Sequence, residues 1–343
     1  MIKNNKMAKP KHILVIRLSA MGDVAMLVPV LQALIQQNEN VQVTVLSRKF
    51  LKPIFDNDIS GLNVQFIEAD TKGKHKGFIG IYKLFKELKS LQLDAVADTH
   101  NVLRSKILTL FFKLTGTKVA TIDKGRSEKK ALIKNNVKKQ LKKTHSRYAD
   151  VFQKLGFTIN LKKHQFHKKP NLPKNFSFNK TKQNIGIAPF AQYQGKMYPL
   201  DLMEEVIKEL SKNNSIYLFG GGEKEINKLN EIALKHPNTT NLAGKLSLKE
   251  ELQIIANLDV MLAMDSGNAH FAAMFGVKTI TLWGVTHPFA GFAPFKQDEN
   301  CILPDLKKYP KIPCSIYGNK ICEGYENVMR SITPKVIINK VLE

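Results

Sequence analysis

The sequence predicts an α/β protein of two domains, each built on a parallel sheet. Three observations predict it. Short Ile/Val/Leu runs alternate with helix-length amphipathic segments along the first half. The alternation lapses over residues 164–182, where Lys168-Lys-Pro-Asn-Leu-Pro-Lys-Asn175 has the composition of a linker. It then starts again and runs toward the C-terminus. At 343 residues the chain is long for one domain, so we place the halves at 1–178 and 179–343.

Residues 12–17 form the first strand, bounded by Leu18-Ser-Ala-Met-Gly-Asp23. One helix is expected over 24–37, with Val24, Leu27, Val28, Leu31, Ala33 and Leu34 largely on one side. Strands follow at 41–46, 64–67, 93–97 and near 118–122, and helices at 79–88 and 102–114. In the second half, strands are expected at 184–188, 216–219, 260–263 and 279–283. The helices between them fall at 200–210, 224–234, 248–257 and 266–275. Two Rossmann-like halves result. Open parallel sheets bind ligands at the carboxyl ends of their strands, so the function belongs in the loops that lead from strand to helix.

Composition sets bounds. Hydrophobic residues are 43% of the chain, enough for two ordinary cores. No run approaches the ~18 apolar residues of a membrane span. The basic start leads into a run too short for a signal peptide, so the protein is expected in the cytoplasm. Cys301, Cys314 and Cys322 are an odd count at no familiar metal spacing and are expected as reduced thiols. The chain carries 53 Lys/Arg against 29 Asp/Glu, a net charge of +24. Such a chain is drawn to polyanions. The charge is concentrated over 124–147, where ten basic residues face one acid, Glu128. A solvated face, a docking patch for an anionic surface and a nucleic-acid site are the three readings of that segment.

The common phosphate fingerprints are missing. There is no G-x-x-x-x-G-K-[ST], and the loop after the first strand has a single glycine, Gly22. Gly220-Gly-Gly-Glu-Lys-Glu225 opens like a dinucleotide fingerprint but ends on glutamate, which disfavours a nicotinamide or flavin enzyme. Asp56-Asn-Asp58 resembles a metal-binding D-x-D, yet it follows an apparent helix rather than a buried strand and is read as a turn.

Three loops carry positive signals. In Ser19-Ala-Met-Gly-Asp23, Gly22 permits a tight turn beside a ligand, and Asp23 is the loop's one carboxylate. It is a helix N-cap, a catalytic base, or both. In Met264-Asp-Ser-Gly-Asn-Ala-His270, the amides of Ser266, Gly267 and Asn268 enter a helix and suit an anion. Ser266 and His270 are four apart and share a face. Alternatively Asp265 caps that helix and His270 is a partly buried polar residue. Gly195-Lys-Met-Tyr-Pro199 brings Lys196 to the same rim, where Glu225 is a candidate for ribose hydroxyls.

Together these loops resemble glycosyltransferase family 9, the lipopolysaccharide heptosyltransferases, over nearly the whole chain. The specific stretches are residues 12–29 (HILVIRLSAMGDVAMLVP), 196–199 (KMYP) and 242–288, with D-[ST]-G-x-x-H at 265–270 followed by Trp283-Gly-Val-Thr-His-Pro288. The resemblance implies a GT-B fold, two Rossmann-like domains facing a central cleft, with the last helix a candidate to pack back on the first domain. It implies inverting, metal-independent transfer of a heptose from ADP-heptose to the lipopolysaccharide core, with no cofactor. Asp23 would be the general base and Lys196 would face the donor phosphates. Gly22, Asp265, Ser266, Gly267 and His270 would line the substrate site, and Leu246 stands where the family places an apolar contact to the base. Glu225 would meet the ribose, with Glu223 competing for that place. The chain departs from many relatives in the loop before the lysine, which reads Phe190-Ala-Gln-Tyr-Gln-Gly195. The acceptor would be an anionic glycolipid, met by a monomer at the cytoplasmic face of the inner membrane, and the segment near Pro170–Pro173 would serve as a hinge. Two rivals remain at this point: a GT-B nucleotide-sugar epimerase, and a basic nucleic-acid-binding protein.

Overall fold

The computed structural model describes residues 11–134 and 138–343. The chain divides into two compact units. The first holds the described residues up to Lys124 together with Thr144–Lys168, and the second holds Gly125–Lys143 and Lys169–Glu343. The division thus falls ten residues before the expected 178/179 boundary, and the middle of the basic segment, Gly125–Lys143, belongs to the second unit.

In the first unit, β1 (His12–Ile16) leads into α1 (Met21–Ala25) and α2 (Val28–Gln37). The single helix expected over 24–37 is therefore two. Pro29 lies in the first turn of α2 and has no N–H to continue the ladder from α1, so the chain restarts at Leu27. Then come β2 (Gln42–Ser47), the short α3 (Asn57–Ser60), β3 (Gln65–Glu68), α4 (Gly77–Lys89), β4 (Ala95–Asp98), α5 (Leu103–Leu114) and β5 (Lys118–Thr121). After α6 (Arg126–Lys134), which belongs to the other unit, α7 (Thr144–Lys154) completes the first. The sheet runs β3-β2-β1-β4-β5, parallel throughout. Ile13, Leu14, Val15 and Ile16 are fully buried, as a central strand covered on both faces requires. Ile16 pairs with Leu46 and with Asp98, so β1, β2 and β4 end level and their following loops leave one rim.

In the second unit, β6 (Asn184–Ala188), α8 (Leu200–Leu210), β7 (Ser215–Leu218), α9 (Glu223–Lys235), β8 (Thr239–Asn241) and α10 (Leu248–Ala256) come first. β9 (Val260–Met264), α11 (Gly267–Met274), β10 (Lys278–Leu282), β11 (Cys301–Ile302) and α12 (Pro334–Leu342) follow. The sheet order is β11-β10-β9-β6-β7-β8, again parallel. The C-terminal helix α12 packs against α8. Ile337 and Val341 are fully buried in this unit's own core, where the apolar stripe of α8 (Met203, Val206, Ile207, Leu210) receives them. That placement gives its apolar face to the core of the second unit.

One further expectation changes. Cys314 and Cys322 form a disulfide, their Cα atoms 5.4 Å apart, and only Cys301 is a free thiol. A spacing of eight residues carries no signal of this, because the turn between them, not the spacing, sets the distance. Asp56 occupies the N-cap position of α3 with Asp58 in its first turn, in keeping with the turn reading. Among the described residues no group of three or more His, Cys, Asp or Glu could hold a metal ion.

Candidate active site

The loop that leaves β1 turns into α1 with Asp23 at its third residue. Asp23 is therefore not the N-cap; Ala20 holds that position, and Asp23 reaches back toward the Ala20 amide at 3.5 Å. Its Oδ2 is ion-paired with Arg17, whose side chain is 5% exposed against 30% for Asp23. Arg17 is fixed from behind. It donates to the Thr99 carbonyl at 2.7 Å and lies over the Tyr148 ring, 5.7 Å from its centroid. The Tyr148 hydroxyl, fully buried on α7, donates to the backbone oxygen of Asp23 at 3.1 Å. Asp23 thus keeps an open side while both its carboxylate and its backbone are held.

His100 lies beside this loop, its Nε2 3.3 Å from the Ser19 hydroxyl. Burial, reinforced by the Arg17 guanidinium, drives its imidazole down to about 3, so the ring is neutral at working pH. The turn that carries it is set by Asp98. This fully buried carboxylate accepts from the amides of His100 and Asn101 and from the Ser105 hydroxyl at 2.8–3.0 Å.

In the second unit Lys196 and Thr286, from two separate loops, meet on the Asp265 carboxylate. Lys196 Nζ is 2.8 Å from Asp265 Oδ2, and the Thr286 hydroxyl donates to the same oxygen at 2.9 Å. Asp265 is consequently not the cap of α11. Ser266 is at the N-cap position, with extended backbone and no side-chain cap bond. The loops are stitched by backbone contacts: Val285 N–H donates to Gly195 O at 3.0 Å and Cys314 N–H to Val285 O at 2.9 Å. Gly284 is required here, since a Cβ would sit 2.4 Å from the Gly195 carbonyl. Gly318, at φ +83°, packs its bare backbone on the Lys196 stem, where a Cβ would meet Cγ at 2.4 Å.

Gly267 and the following residues open α11, so the first amides of that helix have no partner within it. His270, in α11, is 7% exposed. Glu225 lies in the first turn of α9 and accepts from the Gly221 amide at 2.8 Å, which holds the glycine-rich turn together. Glu223, at the start of the same helix, is exposed, while Leu246 is half-buried.

Residues 81–317 match the sequence profile of glycosyltransferase family 9 (heptosyltransferase). The chain belongs to that family. This transferase is 26% identical over 303 residues to the lipopolysaccharide core heptosyltransferase OpsX of Haemophilus influenzae, covering 85% of this chain and 84% of the relative. It superimposes on the ADP-heptose heptosyltransferase II of E. coli with TM-score 0.68 at 20% identity, covering 96% and 97% of the two chains. The E. coli heptosyltransferase WaaC with ADP-2-deoxy-2-fluoro heptose gives TM-score 0.65 at 16% identity, covering 96% and 98%. The expected GT-B class is the fold these structures share with the family 9 chain. Membership selects the glycosyltransferase reading over the epimerase and nucleic-acid alternatives.

Some residues that hold the candidate side chains in place carry little signal in the sequence. Arg17 closes a buried apolar strand, and a charge in that place at a carboxyl-end rim was the available signal. His100 follows β4 on the same rim. Tyr148 had no such signal, because α7 lies next to a lysine-rich stretch and shows few apolar residues. Thr286 lies within residues 283–288, and nothing in that spacing points to its bond with Asp265.

Proposed function

We propose that this family 9 enzyme transfers a heptose, with inversion, from ADP-heptose to a hydroxyl of the lipopolysaccharide core. The observation that carries it is Lys196 held against Asp265 at the start of α11. An ammonium, a helix N-terminus and a carboxylate are there gathered on one rim. As the anomeric C–O bond breaks, negative charge builds on the leaving ADP. Lys196 and the first amides of α11 stabilise that charge. The diphosphate competes with Asp265 for Lys196 Nζ, which frees Asp265 and Thr286 to accept from and donate to the sugar. Gly22 and Gly267 let backbone approach substrate, and Ser266, His270, Leu246 and Glu225 complete the site. Asp23 takes the proton of the acceptor hydroxyl, and Arg17 keeps its carboxylate aimed. The chemistry needs no metal.

The acceptor is anionic and lipid-linked, so the enzyme works as a monomer at the cytoplasmic face of the inner membrane. The segment with Lys138, Lys139, Lys142 and Lys143 adds attraction to that surface. The attraction from Lys143 is reduced, because it is paired with Asp298 at 2.6 Å.

The test is transfer from ADP-heptose to a truncated core acceptor, with and without chelator, and the anomeric configuration of the product read by NMR. Lys196→Gln should lower turnover by roughly two to three orders of magnitude, as loss of one transition-state donor does. A product of retained configuration, or full activity in the Gln variant, contradicts the proposal.

A further inference from the structure

Helix α5 is apolar on both sides. Ser105, Leu108, Thr109 and Phe112 are buried against the first unit. Leu103, Leu110 and Leu114 recur at i, i+7 and i+11, which sets them along the opposite side of the helix. Leu103 and Leu114 are 75% exposed and Leu110 is 52% exposed. A covering helix of an α/β sheet ordinarily turns polar residues to water there. The neighbouring α4 extends the surface. Phe78 and Ile79 are 63% and 72% exposed. Phe78 and Tyr82 meet Phe111 of α5 with ring centroids 5.6 and 5.4 Å apart, so the two helices present one continuous apolar face.

Exposed lysines surround that face: Lys76, Lys83, Lys86 and Lys89 at α4, Lys106 and Lys113 at α5. The one acid on the two helices is Glu87, already paired with Lys74 and His75. We propose that the α4–α5 face docks the enzyme on an anionic lipid surface, with the leucine stripe entering the interfacial zone and the lysines meeting headgroup charge. The inference rests on the lipid-linked acceptor of the proposed function and assigns the docking to a surface distinct from the Lys138–Lys143 segment. Charge decides the occupant. An apolar stripe rimmed by lysine matches an anionic bilayer. A second copy would bring two lysine rims together on chains that each carry +24.

The experiment compares the parent with a Leu103→Gln, Leu110→Gln, Leu114→Gln variant. All three side chains are exposed and glutamine favours helix, so folding is retained and is checked by circular dichroism. The probes are vesicles of phosphatidylglycerol and of phosphatidylcholine. The parent should bind phosphatidylglycerol vesicles more tightly than phosphatidylcholine vesicles, and less as salt is raised. Each leucine transferred from water is worth on the order of tenfold, so the variant should lose at least about a hundredfold. Its transfer to a short soluble acceptor should equal the parent's. Equal vesicle binding by variant and parent overturns the proposal, as does a parent that ignores headgroup charge. A parent dimer that the variant dissolves also overturns it, because the occupant is then a second copy. If neither protein transfers heptose to the soluble acceptor, the functional proposal fails, while the vesicle comparison still decides this surface.

Discussion

Replacing Asp23 by asparagine separates its chemical role from its structural one. The substitution keeps shape and removes charge, so it takes away the acceptor of a proton and the partner of Arg17 together. The structural loss can be bounded. Breaking a fully buried ion pair costs about 3–5 kcal/mol, and an exposed one at most about 1 kcal/mol. Here Arg17 is 5% exposed but Asp23 is 30% exposed. Arg17 also keeps the Thr99 carbonyl and the Tyr148 ring. The cost should therefore be about 1–2 kcal/mol, a modest fall in midpoint without loss of the fold. Turnover should fall much further, by about 10²–10⁴-fold, the usual worth of a general base. Donor affinity should stay at the parent value, because Lys196 and Asp265 are in the other unit. Single-turnover transfer, donor binding by calorimetry and a denaturant midpoint measure the three quantities. Turnover within a few-fold of the parent refutes the base assignment and leaves Asp23 as the counterion of Arg17. A donor affinity that drops as far as turnover refutes it differently, by showing that the loop serves the donor.

Two further outcomes follow from burial and from the disulfide. Glu251, on α10, has its carboxyl pushed up to about 7 by desolvation. Because the folded value lies above the unfolded one, its contribution to stability is whole below about pH 4.5 and is lost as pH rises through 7, by up to about 3 kcal/mol. Glu251→Gln should flatten that slope in denaturant midpoints taken from pH 5 to 8; an unchanged slope places the titrating group elsewhere. Titration of thiols in the denatured, unreduced protein should find one per chain, Cys301, whose own thiol burial pushes up to about 12 in the folded state. Three thiols would return Cys314 and Cys322 to the reduced form that their spacing led us to expect.

The sequence by itself determined the architecture and the strand-end loops that carry the candidate residues. Periodicity placed β1, β6 and α8 within a residue of their observed ends, because buried parallel strands and amphipathic helices leave period and length in the chain itself. The motif residues Asp23, Lys196 and Asp265 were legible for a related reason: each lies in the connection from a strand to the next helix or in that helix's first turn, where local order predicts position. Tertiary structure alone decided what those residues touch. That Lys196 and Thr286 share one oxygen of Asp265 depends on Gly284 letting two backbones approach across 89 positions of chain. That Arg17 holds Asp23 depends on β1 ending level with β4, so that the Thr99 carbonyl can anchor the guanidinium. The packing of α12 on α8 has the same origin. Local pattern encodes which way a side chain must point from its own element, and only the packing of elements distant in sequence fixes which partner waits there.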